Sequence, residues 1–290
     1  MQILENEYLR VQIKDKGAEL CSIYDKSDQT EHIWQADPTF WPWHAPMLFP
    51  IIGVSENDEL RIDGKKYPMA KHGFARHSIF TIKEATVTNC VFSLAFSEET
   101  LAIYPYKFEL QVCYELVNTK LCISYKISNL DNQMIYFNIG GHPAIAIAYK
   151  DNESIEDYAI VFEQAETLSR HHINKADGMF NGESSIVLKD EAIIPITQNM
   201  FEKDAYIFKN LKSRSLLISS KNHSKTVKVS FPDFNYLGIW AIPGAKYVCI
   251  EPWLGCADTK GQLIDFQHKE GIISLASAAI FNCSYSIQIN

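Results

Sequence analysis

Residues 106–127 read YKFELQVCYELVNTKLCISYKI. Apolar and polar side chains alternate over residues 106–116, and the alternation resumes over residues 121–127. A period of two places every second side chain on the same face of an extended chain, which is typical of a strand with one buried face. Between the two runs, Asn118-Thr119-Lys120 supplies a short turn. The stretch therefore predicts a long antiparallel β-hairpin.

Shorter segments with the same alternation recur along the chain. They lie at residues 9–13, 92–96, 227–231, 247–250 and 285–289. Asp63-Gly64, between β-prone residues, predicts a second, tight hairpin. Only residues 198–209 indicate a short helix, and the Gly- and Asn-containing residues 169–185 are expected to form a loop. Because no linker divides the chain, we expect residues 1–290 to form one all-β domain, a sandwich or barrel of antiparallel sheets with few short helices.

The composition limits the classes of function. Of 290 residues, 47% are hydrophobic, which is enough for a sizeable core and too much for a disordered chain. The net charge of −8 argues against a nucleic-acid partner, because cationic contacts supply most of that affinity. No apolar run reaches the roughly 18 residues of a membrane span, and the first residues include acidic ones where a signal peptide is positively charged. We therefore expect a cytoplasmic protein without a membrane partner.

Two residues are candidates for proton transfer. His142 follows Gly140-Gly141, which frees the backbone to approach a ligand, and a histidine there can donate a proton near neutral pH. A turn histidine bonded to the backbone is the alternative. Glu251 ends the apolar run 247–250 and stands close to Trp253. Burial beside an aromatic ring raises the pKa of a carboxyl group and suits a general base, whereas a surface glutamate at a strand end is the commoner case.

Other side chains are suited to holding a ligand. His72 and Arg76 offer donors for hydroxyl groups or an anion, although Arg76 could equally form an ion pair or stack on a ring. The rings of Trp41, Trp43 and Trp253 are flat and apolar, which suits either the C–H face of a sugar or the protein core.

No motif predicts a metal or an organic cofactor. The neighbours His171 and His172 would face opposite sides of a strand and could not easily share a metal. The sequence has no H-E-x-x-H, no phosphate-binding glycine motif and no G-x-S-x-G. Seven cysteines without a C-x-x-C pair predict small buried hydrophobes in a reducing compartment rather than disulfides or a zinc site.

Five short motifs occur in an order that resembles one known family. They are residues 45–53 (APMLFPIIG), 72–76 (HGFAR), 140–144 (GGHPA), 231–240 (FPDFNYLGIW) and 249–255 (CIEPWLG). On these motifs the chain resembles the aldose 1-epimerase (galactose mutarotase-like) superfamily, most closely its LacX-like branch. The resemblance covers nearly the whole chain.

This resemblance implies a large antiparallel β-sandwich with a sugar-binding cleft. It implies that Glu251 takes the proton of the anomeric hydroxyl and that His142 protonates the ring oxygen, so that neither a metal nor an organic cofactor is needed. It further assigns side chains to sugar binding. Those expected to bind hydroxyl groups are His72, Arg76 and Asp233, and those expected to form the cleft walls are Trp43, Phe74 and Trp253. The expected partner is a small sugar, bound by a monomer or a homodimer.

Departures from the family pattern leave alternatives open. Val54-Ser55 and Trp43-His44 stand where many relatives carry arginine. Fewer arginines weaken the case for a hexose-6-phosphate mutarotase relative to one acting on a free aldose, because a phosphate dianion needs cationic contacts. A catalytically weak carbohydrate-binding or regulatory protein is the other alternative. A glycosidase fits worst, because only one candidate carboxylate lies in a motif and glycosidases usually need two.

Overall fold

In the computed structural model, which describes residues 1–150 and 152–290, strands make up about 51% of the chain and helices 6%. The predicted all-β class with few short helices is confirmed. The strands up to residue 129 are β1 (Gln2–Glu5), β2 (Leu9–Ile13), β3 (Leu20–Asp25), β4 (Thr30–Glu31), β5 (Met47–Leu48), β6 (Glu59–Ile62), β7 (Lys65–Pro68), β8 (Thr81–Ala85), β9 (Asn89–Ala95), β10 (Phe108–Val117) and β11 (Lys120–Asn129).

The second half of the chain continues in the same way. Its strands are β12 (Ile135–Phe137), β13 (Ile139–Gly141), β14 (Ala144–Ala146), β15 (Tyr158–Ile173), β16 (Phe180–Pro195), β17 (Tyr206–Lys209), β18 (Ser215–Ser220), β19 (Thr226–Ser230), β20 (Tyr236–Trp240), β21 (Tyr247–Leu254), β22 (Ile273–Leu275) and β23 (Ile280–Ile289). In the described part of the chain, the helical segments are one short α-helix, α1 (Glu98–Leu101), and the 3₁₀ turns Glu56–Asp58, Ala75–His77, Ile155–Asp157 and Phe266–His268.

One large sheet carries most of the fold. Its strand order is β5-β13-β21-β20-β17-β15-β18-β19-β23-β11-β10-β9-β8, with β14 paired to β21 and β16 paired to β15. Strands β1 to β4 form a separate sheet, and Leu4 and Val11 from it share a hydrophobic core with Phe92 and Leu110 of the large sheet. Sharing a core between two sheets is the arrangement of a sandwich.

Both predicted hairpins are present. Strands β10 and β11 pair over their full length, from Phe108 opposite Asn129 to Val117 opposite Lys120. In the tight turn between β6 and β7, Asp63 and Gly64 both have positive φ, as a two-residue turn of this kind requires. The other segments with a period of two each overlap an observed strand.

Two expectations from the sequence are wrong. Residues 169–185 are not a loop, because they contain the ends of β15 and β16, which pair as a long hairpin at one edge of the sheet. Strand β16 is exposed along most of its length, so its sequence has no apolar alternation. Residues 198–209 are not a helix: the chain turns through 198–203 and then enters β17.

The main core includes buried residues from Leu4 to Ile289, which accords with the expectation of one domain, although that expectation stays a prediction. No helix in residues 1–150 or 152–290 is long and apolar enough to cross a membrane.

Candidate active site

The candidate site is built on strand pairing around β21. On one side, Gly140 of β13 lies opposite Trp253, and Ala144 of β14 lies opposite Cys249. These two pairings keep the same register, so His142, in the gap between β13 and β14, stands opposite Glu251. On the other side of β21, Gly238 of β20 pairs with Glu251. Glu251 is therefore held in the middle of three adjacent strands.

The side chains of His142 and Glu251 meet directly. The distance from His142 Nε2 to Glu251 Oε2 is 3.1 Å, and the two residues are 7% and 2% exposed. Burial raises the pKa of the Glu251 carboxyl well above its ordinary value, against the opposing charge of Lys71. Burial also lowers the pKa of His142 to about 3. Since burial favours the neutral form of both groups, the pair shares one titratable proton and carries no net charge.

Tryptophan rings hold the His142 imidazole in place. Trp41 stacks on it, with ring centroids 4.9 Å apart and planes inclined by 27°, and Trp240 meets it edge-on at 5.9 Å. Both tryptophans line the same cleft. These contacts restrict the imidazole to an orientation in which Nε2 faces Glu251.

His72 reaches the site from a strained turn. Both His72 and the following Gly73 have positive φ, and an added Cβ at Gly73 would lie 2.1 Å from the carbonyl oxygen of Phe49. The Nδ1 atom of His72 accepts a hydrogen bond from the Gly53 amide at 3.0 Å, so the proton of the neutral ring lies on Nε2. The ring meets that of His142 edge-on at 5.8 Å. His72 therefore offers one N–H donor beside the His142–Glu251 pair.

Two glycines make room for Trp253. An added Cβ would lie 2.8 Å from the Trp253 ring at Gly140 and 2.7 Å from it at Gly238. At Gly141 it would lie 2.8 Å from the ring of Tyr285. The expectation that the Gly140-Gly141 pair lets the backbone approach a ligand is thus corrected, because the space above both glycines is filled by protein rings.

The pair opens onto a cleft of about 260 Å³, a volume suited to a ligand smaller than a typical drug molecule. Of the residues singled out from the sequence, His72, Arg76, His142, Glu251, Trp41, Trp43 and Trp253 line it. The guanidinium of Arg76 lies 5.0 Å from the centre of the Trp43 ring. Lys71 also lines the cleft, and neither cation forms a salt bridge with a carboxylate in the described part of the chain.

Asp204 is a cleft residue that sequence reasoning missed. Its backbone has φ +73°, and its Oδ1 accepts a hydrogen bond from the Ala205 amide at 2.7 Å. The buried side chain of Arg170 holds this turn by donating to the carbonyl oxygens of Lys203, Asp204 and Ala205. The available signal was weak: an aspartate tolerates positive φ better than most residues, but it lay in a segment interpreted as helix.

Comparison with known proteins identifies the family of this chain. The family model for aldose 1-epimerase matches residues 1–265. The chain belongs to the aldose 1-epimerase family. It is 32% identical to the plasmid-encoded protein LacX of Lactococcus lactis subsp. lactis, over 99% of this chain and 98% of that protein, which places it in the LacX-like branch.

Solved structures of this epimerase family share the fold. The galactose mutarotase related enzyme of Lactobacillus acidophilus superposes with a TM-score of 0.95 at 32% identity, covering 100% of this chain and 97% of that one. A galactose mutarotase-like protein of Lactobacillus casei superposes with a TM-score of 0.94 at 30% identity, with 100% of both chains covered.

Two residues that the resemblance assigns to a sugar site lie outside this cleft. The Phe74 ring packs among Phe49, Tyr104 and Phe108 in the core, so it does not form a wall of the cleft. The carboxylate of Asp233 accepts hydrogen bonds from the amide and hydroxyl of Ser284, at 2.8 and 3.1 Å, and is not part of the cleft.

The structure also modifies the expectation about metals. Cys249 is fully buried, as predicted for a small hydrophobe. Within the described residues, however, its Sγ lies in one group with ligand atoms of His142 and Glu251, all within 4.8 Å of one another. Sequence spacing could not indicate this group, because strand pairing brings position 142 to β21.

Proposed function

We propose that this protein is a mutarotase that interconverts the α and β anomers of a free aldose. The single observation that carries the proposal is the 3.1 Å contact of His142 Nε2 with Glu251 Oε2 at the bottom of a small cleft. Mutarotation moves protons at two oxygens bonded to the same carbon, the anomeric hydroxyl and the ring oxygen. The acid and the base must therefore lie close together, as these two groups do.

In the proposed reaction, the sugar enters with its anomeric carbon over the pair and separates the two side chains. The shared proton stays on His142, and Glu251 takes the proton of the anomeric hydroxyl. The C1–O5 bond breaks as the C1–O1 double bond forms, and His142 gives its proton to O5. The aldehyde rotates about the C1–C2 bond, and closure from the other face returns both protons by the reverse transfers.

The remaining cleft residues would bind and orient the sugar. His72 Nε2–H and Arg76 would donate to hydroxyl groups, and the carboxylate of Asp204 would accept from one. The rings of Trp41, Trp43 and Trp253 would cover the apolar C–H faces of the pyranose. Holding the substrate this way places its anomeric carbon over the acid–base pair.

The test is NMR exchange or polarimetry on freshly dissolved α-glucose, α-galactose and a panel of other aldoses. The protein should accelerate anomer interconversion, and Glu251→Gln should reduce kcat by a factor on the order of 10² to 10⁴, because the amide cannot accept the hydroxyl proton. Glu183→Gln, at an exposed glutamate, is the matched control and should retain full activity.

The same series separates the alternatives. No acceleration by the wild-type protein on any aldose of the panel would refute the proposal. Sugar binding by calorimetry that survives Glu251→Gln, without a rate effect in the wild type, would support the carbohydrate-binding or regulatory protein instead.

One observation favours a second candidate, an aldose that carries a phosphate. Lys71 and Arg76 both line the cleft, and neither forms a salt bridge to a carboxylate within the described residues. Two such cations suit a phosphate dianion, for which Arg offers a paired donor geometry. Inhibition of α-galactose interconversion by glucose 6-phosphate but not by glucose would establish this substrate class, and Lys71→Met should abolish that inhibition.

The cellular setting is also a proposal. All seven cysteines are free thiols, which supports the reducing environment expected of the cytoplasm. Whether the protein acts as a monomer or a homodimer stays a prediction that sedimentation would test.

A further inference from the structure

Cys249 has no place in the proposed proton transfers, yet it lies beside them. It precedes Glu251 by two positions on β21, so both side chains project from the same face of the strand. Ligand atoms of Cys249, His142 and Glu251 all lie within 4.8 Å of one another, and all three residues are buried. The Cys249 thiol forms no hydrogen bond within the described residues, so a metal that binds its sulfur would break none.

From this juxtaposition we propose that the base of the cleft is also a binding site for one soft divalent cation, of which Zn²⁺ is the model, with Cys249, His142 and Glu251 as its three protein ligands. The metal and the sugar would exclude each other, because both need the His142 nitrogen and the Glu251 carboxylate.

The donor set has the chemistry of a zinc site. Zinc takes thiolate, imidazole and carboxylate ligands at bond lengths of roughly 2.0 to 2.3 Å, and sites with three protein ligands keep an open position for water or another ligand. Here that position would face the cleft. The His142–Glu251 separation of 3.1 Å is already close to the spacing of two ligands on a tetrahedral metal, and the Cys249 sulfur lies within 4.8 Å of both groups.

The charges balance as well. With Cys249 as thiolate and Glu251 as carboxylate, the ligands carry two negative charges, which neutralise the dication in a buried place. Binding therefore releases two protons, one from the thiol and the one shared by the His142–Glu251 pair. The positive charge of Lys71, which lines the same cleft, opposes cation binding. The affinity for the metal therefore depends strongly on the negative charge of the Cys249 thiolate.

Cobalt titration of the untagged protein tests the site directly. One equivalent of Co²⁺ should produce a thiolate-to-cobalt charge-transfer band in the near ultraviolet, and Zn²⁺ should displace it. Cys249→Ser should abolish the band and weaken Zn²⁺ binding by at least the factor of about 100 that loss of an outer-shell partner can cost. Cys113→Ser, at a more accessible thiol outside the cleft, is the matched control and should leave both unchanged.

A second measurement covers the case in which Cys249→Ser fails to fold. X-ray absorption of the wild-type zinc complex should show one sulfur among nitrogen and oxygen neighbours. If the protein is a mutarotase, Zn²⁺ should compete with the sugar, and Cys249→Ser should be active and inhibited only at zinc concentrations higher by the same factor. A wild-type protein that binds no Co²⁺ or Zn²⁺, a zinc complex without sulfur, or a cobalt band that persists in Cys249→Ser would overturn the inference. None of these spectroscopic results depends on mutarotase activity.

Discussion

Replacing His32 with leucine tests how much of the acid sensitivity of this fold comes from one buried ring. His32, which directly follows β4, is fully buried, and neither ring nitrogen has a hydrogen-bond partner within the described residues. Burial, assisted by the charge of Lys225, lowers the pKa of His32 to about 4 from its ordinary 6.5. The Asp25 carboxylate, 4.0 Å from Nε2, opposes this effect only in part.

The sign of the effect follows from proton binding. As the pH falls below 6.5, the unfolded chain protonates this histidine, whereas the folded protein does so only near pH 4. Between these values the unfolded state binds more protons, so the free energy of unfolding decreases as the pH falls. The difference between the unfolded and folded pKa values of His32 corresponds to about 3 kcal/mol of unfolding free energy, of which about 2 kcal/mol is lost between pH 7 and pH 5.

Urea unfolding followed by tryptophan fluorescence at pH 7 and pH 5 measures this loss. In His32→Leu, the decrease in unfolding free energy between the two pH values should be smaller than in the wild type by about 2 kcal/mol, because leucine cannot take up the proton. His268→Leu, at an exposed histidine, serves as the control. If wild type and His32→Leu lose the same free energy between pH 7 and pH 5, the reasoning is refuted.

Three further predictions concern the cleft and its surroundings. Gly238→Ala should reduce the unfolding free energy by about 1 to 3 kcal/mol, measured by urea unfolding, because its Cβ would lie 2.7 Å from the Trp253 ring; an unchanged midpoint would contradict this. Arg170→Met should raise KM for the sugar roughly tenfold with little change in kcat, because it releases the turn that presents Asp204. Unchanged KM would show that this turn does not orient substrate. Asp233→Asn should leave kcat and KM unaltered, and a large loss of activity would place Asp233 back in the site.

The sequence predicted the fold where strands are long and half-buried. The β10–β11 hairpin satisfies its backbone hydrogen bonds locally and buries one face, so its period of two is complete. The β15–β16 hairpin was missed because β16 is an edge strand exposed on both faces and its pairing contains register shifts. An edge strand exposed on both faces needs no alternation of apolar and polar residues, so its sequence does not identify it as a strand.

The site was predictable only in part, for a similar reason. His142 and Glu251 lie in recognisable motifs, but their contact depends on the register of β13 and β14 against β21, which no local pattern reports. Asp204 owes its position to a left-handed turn held by Arg170, a contact between residues distant in sequence. Asp233 lies in a motif but is committed to Ser284.

The gap between β13 and β14 has a consequence for how such a protein can diversify. His142 and Glu251 face each other across the ladder that β13 and β14 form with β21, so the backbone pairing on both sides of His142 sets their separation. The walls of the cleft, by contrast, come largely from connecting segments such as residues 41–43 and 71–76. Exchanging those segments would change which ligand the cleft admits, while the spacing of His142 and Glu251 would be inherited unchanged.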